Sequence, residues 1–220
     1  MIYLPGLVGF LLVLTAEAKV GDSSQVEFCS ETEECLLFDL ICETETYEVR
    51  HYDSVKWVST EETYYYMMEF ASYKAFRRLF DYITGGNENG QKINMTAPVV
   101  MKMHEKKGGF FATNRFTMSF LLPSDCQKNP PKPTDEKVYI HDTPDMNVYV
   151  RSYGGWMTTF SDRKHADSLS SDLDLVNANY EQGFHLAVGY NSPMTMFNRH
   201  NEVWFLAEDD PVCPSSEEMD

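Results

Sequence analysis

One histidine of this sequence lies where a metal-binding side chain could be held inside the fold. His51 belongs to the stretch 47–60 (YEVRHYDSVKWVST) and shares its parity with Tyr47, Val49, Val55 and Trp57. Alternate residues of a strand point to the same face, so this mainly apolar parity predicts a buried face that includes His51. A neutral imidazole is a common metal ligand. The alternative is a core or edge histidine that hydrogen-bonds to the backbone.

Catalytic motifs are absent from the sequence. It contains no GxSxG, HExxH or P-loop pattern, and its histidines, at positions 51, 104, 141, 165, 185 and 200, are scattered. Gly85–Gly90 (GGNENG) follows a predicted helix, whereas a dinucleotide-binding loop must follow a strand. The sequence therefore predicts a binding protein that is not an enzyme.

Methionine and basic side chains suggest the binding of a flat apolar molecule. Methionines crowd two predicted strand regions, at Met95, Met101, Met103, Met118, Met194 and Met196. They could form an adaptable wall for a ligand together with Trp57, or they could simply fill the core. The basic residues Lys74, Arg77 and Arg78 lie on the open side of a predicted helix, where they either meet ligand carboxylates or are solvated.

The elements that must position these residues are predicted to form two similar halves. Lys92–Lys102 carries Pro98 within an apolar run, and Gly189–Phe197 carries Pro193 in the matching place. Proline cannot donate a ladder hydrogen bond, so each run is expected to be an irregular strand that precedes a regular one. The repeated order predicts an α+β fold: a distorted β-barrel of two antiparallel sheets with two flanking helices and a pseudo-twofold repeat. A ligand cleft is expected where the sheets face each other.

Each half is predicted to contain one helix. Tyr73–Thr84 places its apolar residues at helical spacing, with Ser72 as the candidate N-cap. The second helix is indicated by the spacing of Ala166, Leu169, Leu173 and Val176.

The composition and the N-terminus predict an acidic secreted protein. The chain has 220 residues and a formal charge of −16, which disfavours nucleic acid and anionic lipid surfaces as partners. Residues 1–18 predict a signal peptide, because their apolar core is too short to span a bilayer and an A-x-A cleavage site follows it. No other stretch is apolar enough to cross a membrane.

Five cysteines and one sequon fit that compartment. The cysteines are Cys29, Cys35, Cys42, Cys126 and Cys213, and their spacings are not those of zinc sites. Disulfides are therefore expected, with one cysteine left over and with Cys126–Cys213 as an attractive pair because both follow matching strands. Asn94-Met95-Thr96 is a glycosylation sequon.

Several stretches of the chain resemble the SOUL haem-binding proteins. They are YEVRHYDSVKWVST (47–60), KINMTAPVVMK (92–102), PPKPTDEKVYI (130–140), VYVRSYGGW (148–156) and AVGYNSPMTMFNRHNEVWFL (187–206). The resemblance implies a barrel with two flanking helices, similar also to the ligand-binding domain of bacterial multidrug-sensing regulators. It implies binding of haem or another tetrapyrrole, with the histidine of the YEVRHY motif, His51, as the axial iron ligand. The implied domain is 47–207, with half-repeats at about 47–122 and 138–206, preceded by a leader at 19–46 and followed by a tail at 208–220.

The leading hypothesis is thus a secreted, non-enzymatic tetrapyrrole-binding protein. Its predicted ligand contacts are His51, Trp57, Lys74, Arg77, Arg78, Met95 and Met101. Two alternatives remain open. One is an extracellular interaction module that uses the barrel as a scaffold for a protein partner. The other is a carrier of a different apolar small molecule.

Overall fold

The computed structural model describes residues 19–104 and 113–213. The strands are β1 Val20–Asp22, β2 Glu34–Leu36, β3 Asp39–Glu43, β4 Glu48–Tyr52, β5 Val55–Tyr64, β6 Val99–His104, β7 Asn114–Leu121, β8 Val138–Thr143, β9 Met146–Gly154, β10 Phe184–Gly189 and β11 His200–Leu206. The helices are α1 Glu69–Ile83 and α2 Thr159–Leu175. The predicted signal peptide and the end of the acidic tail lie outside the described residues.

Of the strands in the described residues, nine form one antiparallel sheet in the order β3-β4-β9-β11-β10-β6-β7-β5-β8. β6 and β10 pair at its centre and join the two halves. The first strand of each half pairs with the second strand of the other, β4 with β9 and β8 with β5. This exchange gives the pseudo-twofold order. The α+β class with two helices is confirmed, and the two expected sheets are continuous through β6 and β10.

Both helices pack on one face of the sheet, called the helix face below. α1 covers β5, β6 and β7 through a cluster that includes Leu79, Phe116 and Phe120. α2 covers β9 and β11 through a separate cluster that includes Leu169 and Val203. α1 begins at Glu69, four residues before the predicted start at Tyr73, and its N-cap is Met68 instead of Ser72. Within the described residues, neither helix is long and apolar enough to cross a membrane.

The opposite face of the sheet is covered by the leader, and we call it the leader face. Val20, Val26 and Leu36 belong to one buried cluster with Trp57 and Trp204 of the sheet. β1 and β2 form their own small sheet within this cover, and β3 extends the edge of the main sheet beside β4. The expected inter-sheet cleft is therefore filled on this face by the protein's own side chains.

The strand predicted around Pro193 is wrong. Pro98 precedes β6, but Pro193 lies in the connection 190–199, which contains no strand. β10 ends its pairing with both neighbours at Gly189. The sequence Asn191-Ser192-Pro193 then has turn chemistry, and the Arg199 guanidinium donates to the Ser192 and Thr195 carbonyl oxygens inside the turn.

The predicted Cys126–Cys213 pair is also wrong. Cys213 forms a disulfide with Cys42, and Cys29 forms one with Cys35. Cys126 is a free thiol buried in the α1 cluster. The disulfide to Cys42 joins the tail to β3, and next to it the backbone N–H of Val212 donates a hydrogen bond to Tyr149 Oη of β9 at 3.0 Å.

Candidate functional site

His51 lies near one edge of the sheet, in β4 between β3 and β9. Its Nδ1 is 2.9 Å from Asn147 Oδ1, and its Nε2 is 3.4 Å from Asp53 Oδ1. The side chain is 34% exposed, so the predicted burial of its parity is wrong at this position. His51 lies on the helix face with Val49, whereas Arg50 and Tyr52 of the opposite parity lie under the leader and are fully enclosed.

The apolar residues predicted to contact a ligand are core residues. Trp57 is buried against the leader, and its indole N–H donates to Thr143 Oγ1 at 3.1 Å. Met101 is buried in the α1 cluster, and Met95 packs against the same cluster. These three side chains are divided between the two faces of the sheet, with Trp57 on the leader face and the two methionines on the helix face.

The basic residues predicted to contact a ligand lie along α1. Arg78 donates to Glu62 Oε1 at 2.6 Å, and Lys74 lies 3.1 Å from Glu62 Oε2. Arg77 is exposed, with Nη1 3.5 Å from Tyr73 Oη. Of all seven predicted contacts, the two depressions described below include only Lys74.

Two depressions meet where the helices begin, and they share the wall formed by Tyr64, Tyr65 and Tyr66. The larger, which we call the inner cavity, has a volume of about 550 Å³ and lies between α2 and the ends of β6 and β10. The smaller, which we call the outer groove, has a volume of about 490 Å³ and runs along the start of α1. Both volumes fall in the range of small-molecule sites, roughly 300–1,000 Å³.

Contacts between the two helix N-termini position this wall. Met68 N donates to Thr159 Oγ1 at 3.2 Å, and Thr159 N donates to Glu69 Oε1 at 3.3 Å. α2 itself starts with a capping box, in which the Thr158 hydroxyl and the Ser161 side chain satisfy each other's backbone N–H groups. The first turns of α1 and α2 are therefore fixed against each other at the pseudo-twofold centre.

The outer groove is lined by exposed aromatic and methionine side chains. Tyr65, Tyr66 and Met67 are each about 60% exposed, and Phe70 is 82% exposed. Lys74 lies at its rim and Glu62 behind it. Large contiguous apolar surface is unusual on a soluble protein and commonly marks a binding site.

The inner cavity combines aromatic rings with a buried carboxylate. Tyr180 packs edge-on against Phe205, with ring centroids 4.9 Å apart. Asp162 is only 3% exposed, and its Oδ2 is 2.9 Å from His185 Nε2. Burial raises the pKa of Tyr64, and the Asp162 carboxylate raises that pKa further.

A run of tyrosine and methionine residues in the sequence belongs to this site but was not among the predicted contacts. Tyr64–Met68 reads YYYMM, an apolar run directly before α1. Periodicity does not mark it as functional, because a run without alternation is equally typical of a buried segment. Only the fold shows that Tyr65, Tyr66 and Met67 are exposed. Within the described ranges, no group of three or more His, Cys, Asp or Glu side chains could hold a bare metal ion.

Solved structures share this fold at low sequence identity. The C-terminal domain of EcmrR matches with a TM-score of 0.52 and 9% identity, covering 78% of this chain and 98% of that one. A protein described as a hydrolase from Listeria innocua matches with a TM-score of 0.51 and 9% identity, covering 76% of this chain and 94% of that one. At such identities the likeness concerns the fold alone.

Sequence comparisons reach much closer relatives. Heme-binding protein 2 of Homo sapiens is 36% identical over 169 residues, which cover 76% of this chain and 80% of the human protein. Heme-binding protein 1 of Xenopus tropicalis is 32% identical over 160 residues, covering 73% of this chain and 83% of the relative. The family model described as SOUL heme-binding protein matches residues 33–206. The chain therefore belongs to the SOUL heme-binding protein family.

Proposed function

We propose that this protein binds haem or another tetrapyrrole without transforming it, in the outer groove. The observation that carries the proposal is the exposed surface of aromatic and methionine side chains at the helix N-termini, formed by Tyr65, Tyr66, Met67 and Phe70. A flat apolar macrocycle would cover it, and burying one such side chain contributes about 1.5–3 kcal/mol. The names of the related heme-binding proteins support the same ligand class.

The residues of the outer groove fit such a group in type. Tyrosine and methionine both ligate haem iron in other proteins, and both occur here at Tyr65, Tyr66 and Met67. Lys74 could meet a propionate carboxylate at the rim, where it now pairs with Glu62. A bound haem would supply an iron centre, while the chain would supply contact area and exclude water from one side of the ring.

His51 remains the alternative iron ligand, because it is the predicted one. Both of its ring nitrogens have polar neighbours, Asn147 and Asp53. Neither described depression includes it. Binding at His51 would therefore require a different surface from the outer groove. Substitutions at His51 and in the outer groove distinguish the two binding sites.

One serine–histidine pair bears on the non-enzymatic part of the proposal. Ser59 Oγ is 2.8 Å from His141 Nε2, a distance that would suit an activated nucleophile. Ser59 is completely buried, however, and its hydroxyl is also 2.7 Å from Ser119 Oγ. The pair is better explained as a polar bridge between β5, β7 and β8.

Haemin titration followed at the Soret band tests the binding site. Phe70→Ser and Phe197→Ser form a matched pair, because the two phenylalanines are 82% and 79% exposed and only Phe70 lines the groove. We expect Phe70→Ser to weaken binding about 10-fold or more, and Phe197→Ser and His51→Ala to leave it within about twofold. Absence of a saturable shift in the wild type would refute haem binding. A loss confined to His51→Ala would move the site to β4.

We further propose that the protein acts outside the cell. Two disulfides are compatible with an oxidising compartment, and residues 1–18 have the pattern of a signal peptide. N-terminal sequencing of protein recovered from the medium of expressing cells is expected to begin at Lys19. Mass spectrometry of ligand extracted from that protein distinguishes a tetrapyrrole from another apolar cargo.

A further inference from the structure

The inner cavity contains a buried carboxylate that the proposed haem site does not use. Asp162 lies in the first turn of α2, and its Oδ2 is 2.9 Å from Nε2 of the His185 ring. Among the described residues, Oδ1 has no hydrogen-bond donor. An enclosed carboxylate oxygen without a donor is costly, because it loses its hydration without compensation.

Aromatic rings surround this carboxylate. The cavity wall includes Tyr64, Tyr180, Phe184 and Phe205, and the His185 ring lies 6.1 Å from the Phe205 ring. The faces of aromatic rings attract cations within about 6 Å. A carboxylate next to several ring faces is therefore suited to a positively charged guest with an apolar body.

Charges of both signs lie around the cavity, and that of Asp162 is the most deeply buried. Asp162 and Asp167 contribute two carboxylates to the wall, Arg163 contributes one guanidinium, and Lys102 Nζ lies 3.5 Å from the centroid of the Phe184 ring. Arg163 and Asp167 are exposed, so their charges are screened by solvent more than that of Asp162. The whole chain carries −16, which attracts cations towards the surface.

We propose that the inner cavity binds an organic ammonium ion, a molecule with a protonated amine on an aromatic or branched apolar body. The ammonium pairs with the Asp162 carboxylate through a charge-assisted hydrogen bond, for which the enclosed Oδ1 must turn towards the cavity. The apolar body packs against Tyr180, Phe184 and Phe205, and His185 contacts the other carboxylate oxygen. This site is separate from the proposed haem contacts at Phe70 and Met67, although the two depressions share the wall of Tyr64–Tyr66.

Calorimetric titration of the disulfide-intact protein tests the proposal with two probes of nearly equal shape. 2-Phenylethylammonium chloride is expected to bind saturably. The neutral 2-phenylethanol is expected to bind at least about 10-fold more weakly, because it lacks the positive charge that a buried carboxylate attracts. Equal affinity for both probes, or no saturable binding of the ammonium, would overturn the proposal. This comparison needs no variant.

Two variants then locate the site. Asp162→Asn keeps the shape of the side chain but removes its charge, and is expected to weaken ammonium binding about 10- to 100-fold, the usual effect of losing a charge-assisted hydrogen bond. Asp167→Asn removes the same charge from an exposed position on the same cavity and is expected to change affinity less than about twofold. Unchanged binding by Asp162→Asn would refute the assignment. Haemin titration of Asp162→Asn is expected to match the wild type, so failure of one proposed site is distinguishable from failure of the other.

Discussion

A buried ion pair beneath the leader allows a sharp test of the fold. Arg50 Nη1 lies 3.0 Å from Glu202 Oε1, and the two side chains are 1% and 0% exposed. Tyr190 Oη and Trp204 Nε1 donate to Glu202 Oε2 at 2.9 and 2.7 Å. Phe38 of the leader lies over the guanidinium, with 4.1 Å between Arg50 Cζ and the ring centroid. We therefore choose Arg50→Met, which keeps an unbranched apolar stem and removes the guanidinium and its charge.

The expected loss follows from what remains around Glu202. Removing one partner of a buried ion pair costs about 3–5 kcal/mol, because an uncompensated charge stays behind. Tyr190 and Trp204 continue to donate hydrogen bonds, and the methionine retains part of the contact with Phe38. We therefore expect Arg50→Met to lower the free energy of unfolding by about 3 kcal/mol at pH 7, the lower end of that range.

The pH dependence of this loss has a defined sign. Burial alone would raise the pKa of Glu202, but the hydrogen bond with His200 and the charge of Arg50 hold that pKa below its usual 4.5. In the wild type, this carboxylate therefore adds stability above pH 4.5 that is lost as pH falls through the lowered pKa. Without Arg50, the effect of burial is no longer opposed by that charge, so the pKa of Glu202 rises and protonation relieves the penalty. The deficit of Arg50→Met should shrink as pH falls from 7 towards 4.5.

Urea unfolding followed by tryptophan fluorescence measures the deficit, since Trp204 belongs to the cluster. Arg151→Met is the matched control: Arg151 Nη1 lies 2.6 Å from Asp172 Oδ2, but these side chains are 27% and 26% exposed. We expect that control to lose less than about 1 kcal/mol. Arg50→Met/Glu202→Gln, which removes both charges, should be more stable than Arg50→Met alone. A deficit below about 1 kcal/mol, or one that does not vary with pH, would refute the account of a buried, mutually dependent pair.

Three further predictions concern the cysteines and the sequon. Replacing Cys42 and Cys213 by serine should cost more stability than replacing Cys29 and Cys35, about 5 against about 2 kcal/mol from the entropy of closing loops of 171 and 6 residues; equal losses in urea unfolding would contradict this reasoning. Burial raises the pKa of the Cys126 thiol to about 12, so mass spectrometry should show alkylation by iodoacetamide at pH 8 only after unfolding. Asn94 is exposed, and secreted protein should lose mass on treatment with a glycan-releasing amidase, whereas Asn94→Gln should not.

Much of the fold follows from period and order in the sequence. α1 has a strong local pattern of apolar residues at helical spacing, and the packing of a duplicated unit requires only that each half cover its apolar face. The prediction of a strand at Pro193 was wrong because the two proline-containing runs look alike in sequence. One of them precedes a strand, and the other forms a turn. That difference depends on which strand the run pairs with, and such pairing is tertiary information.

The candidate site was harder to predict because both faces of the sheet are buried. In β4, Val49 belongs to the α2 cluster while Tyr52 belongs to the leader cluster, so parity cannot identify an interior face for a ligand. Arg50 looked like a solvent-facing residue by its parity, yet it is nearly inaccessible. A buried arginine is recognised only when its partner is known, and Glu202 is 152 residues away in the chain.

The leader determines which surface of this protein is left for a ligand. The family model begins at residue 33, so Val20, Val26 and Cys29 lie outside the matched part and yet belong to a sheet-wide buried cluster. Phe28 stacks on the His200 ring at 4.0 Å and closes the same face from above. That face is occupied by the chain itself, and the proposed haem site lies on the helix face, where Tyr65, Tyr66 and Phe70 are exposed. Removing the leader would therefore expose Trp204 and Tyr52 as a second aromatic surface, and any haemin bound there should not depend on Phe70.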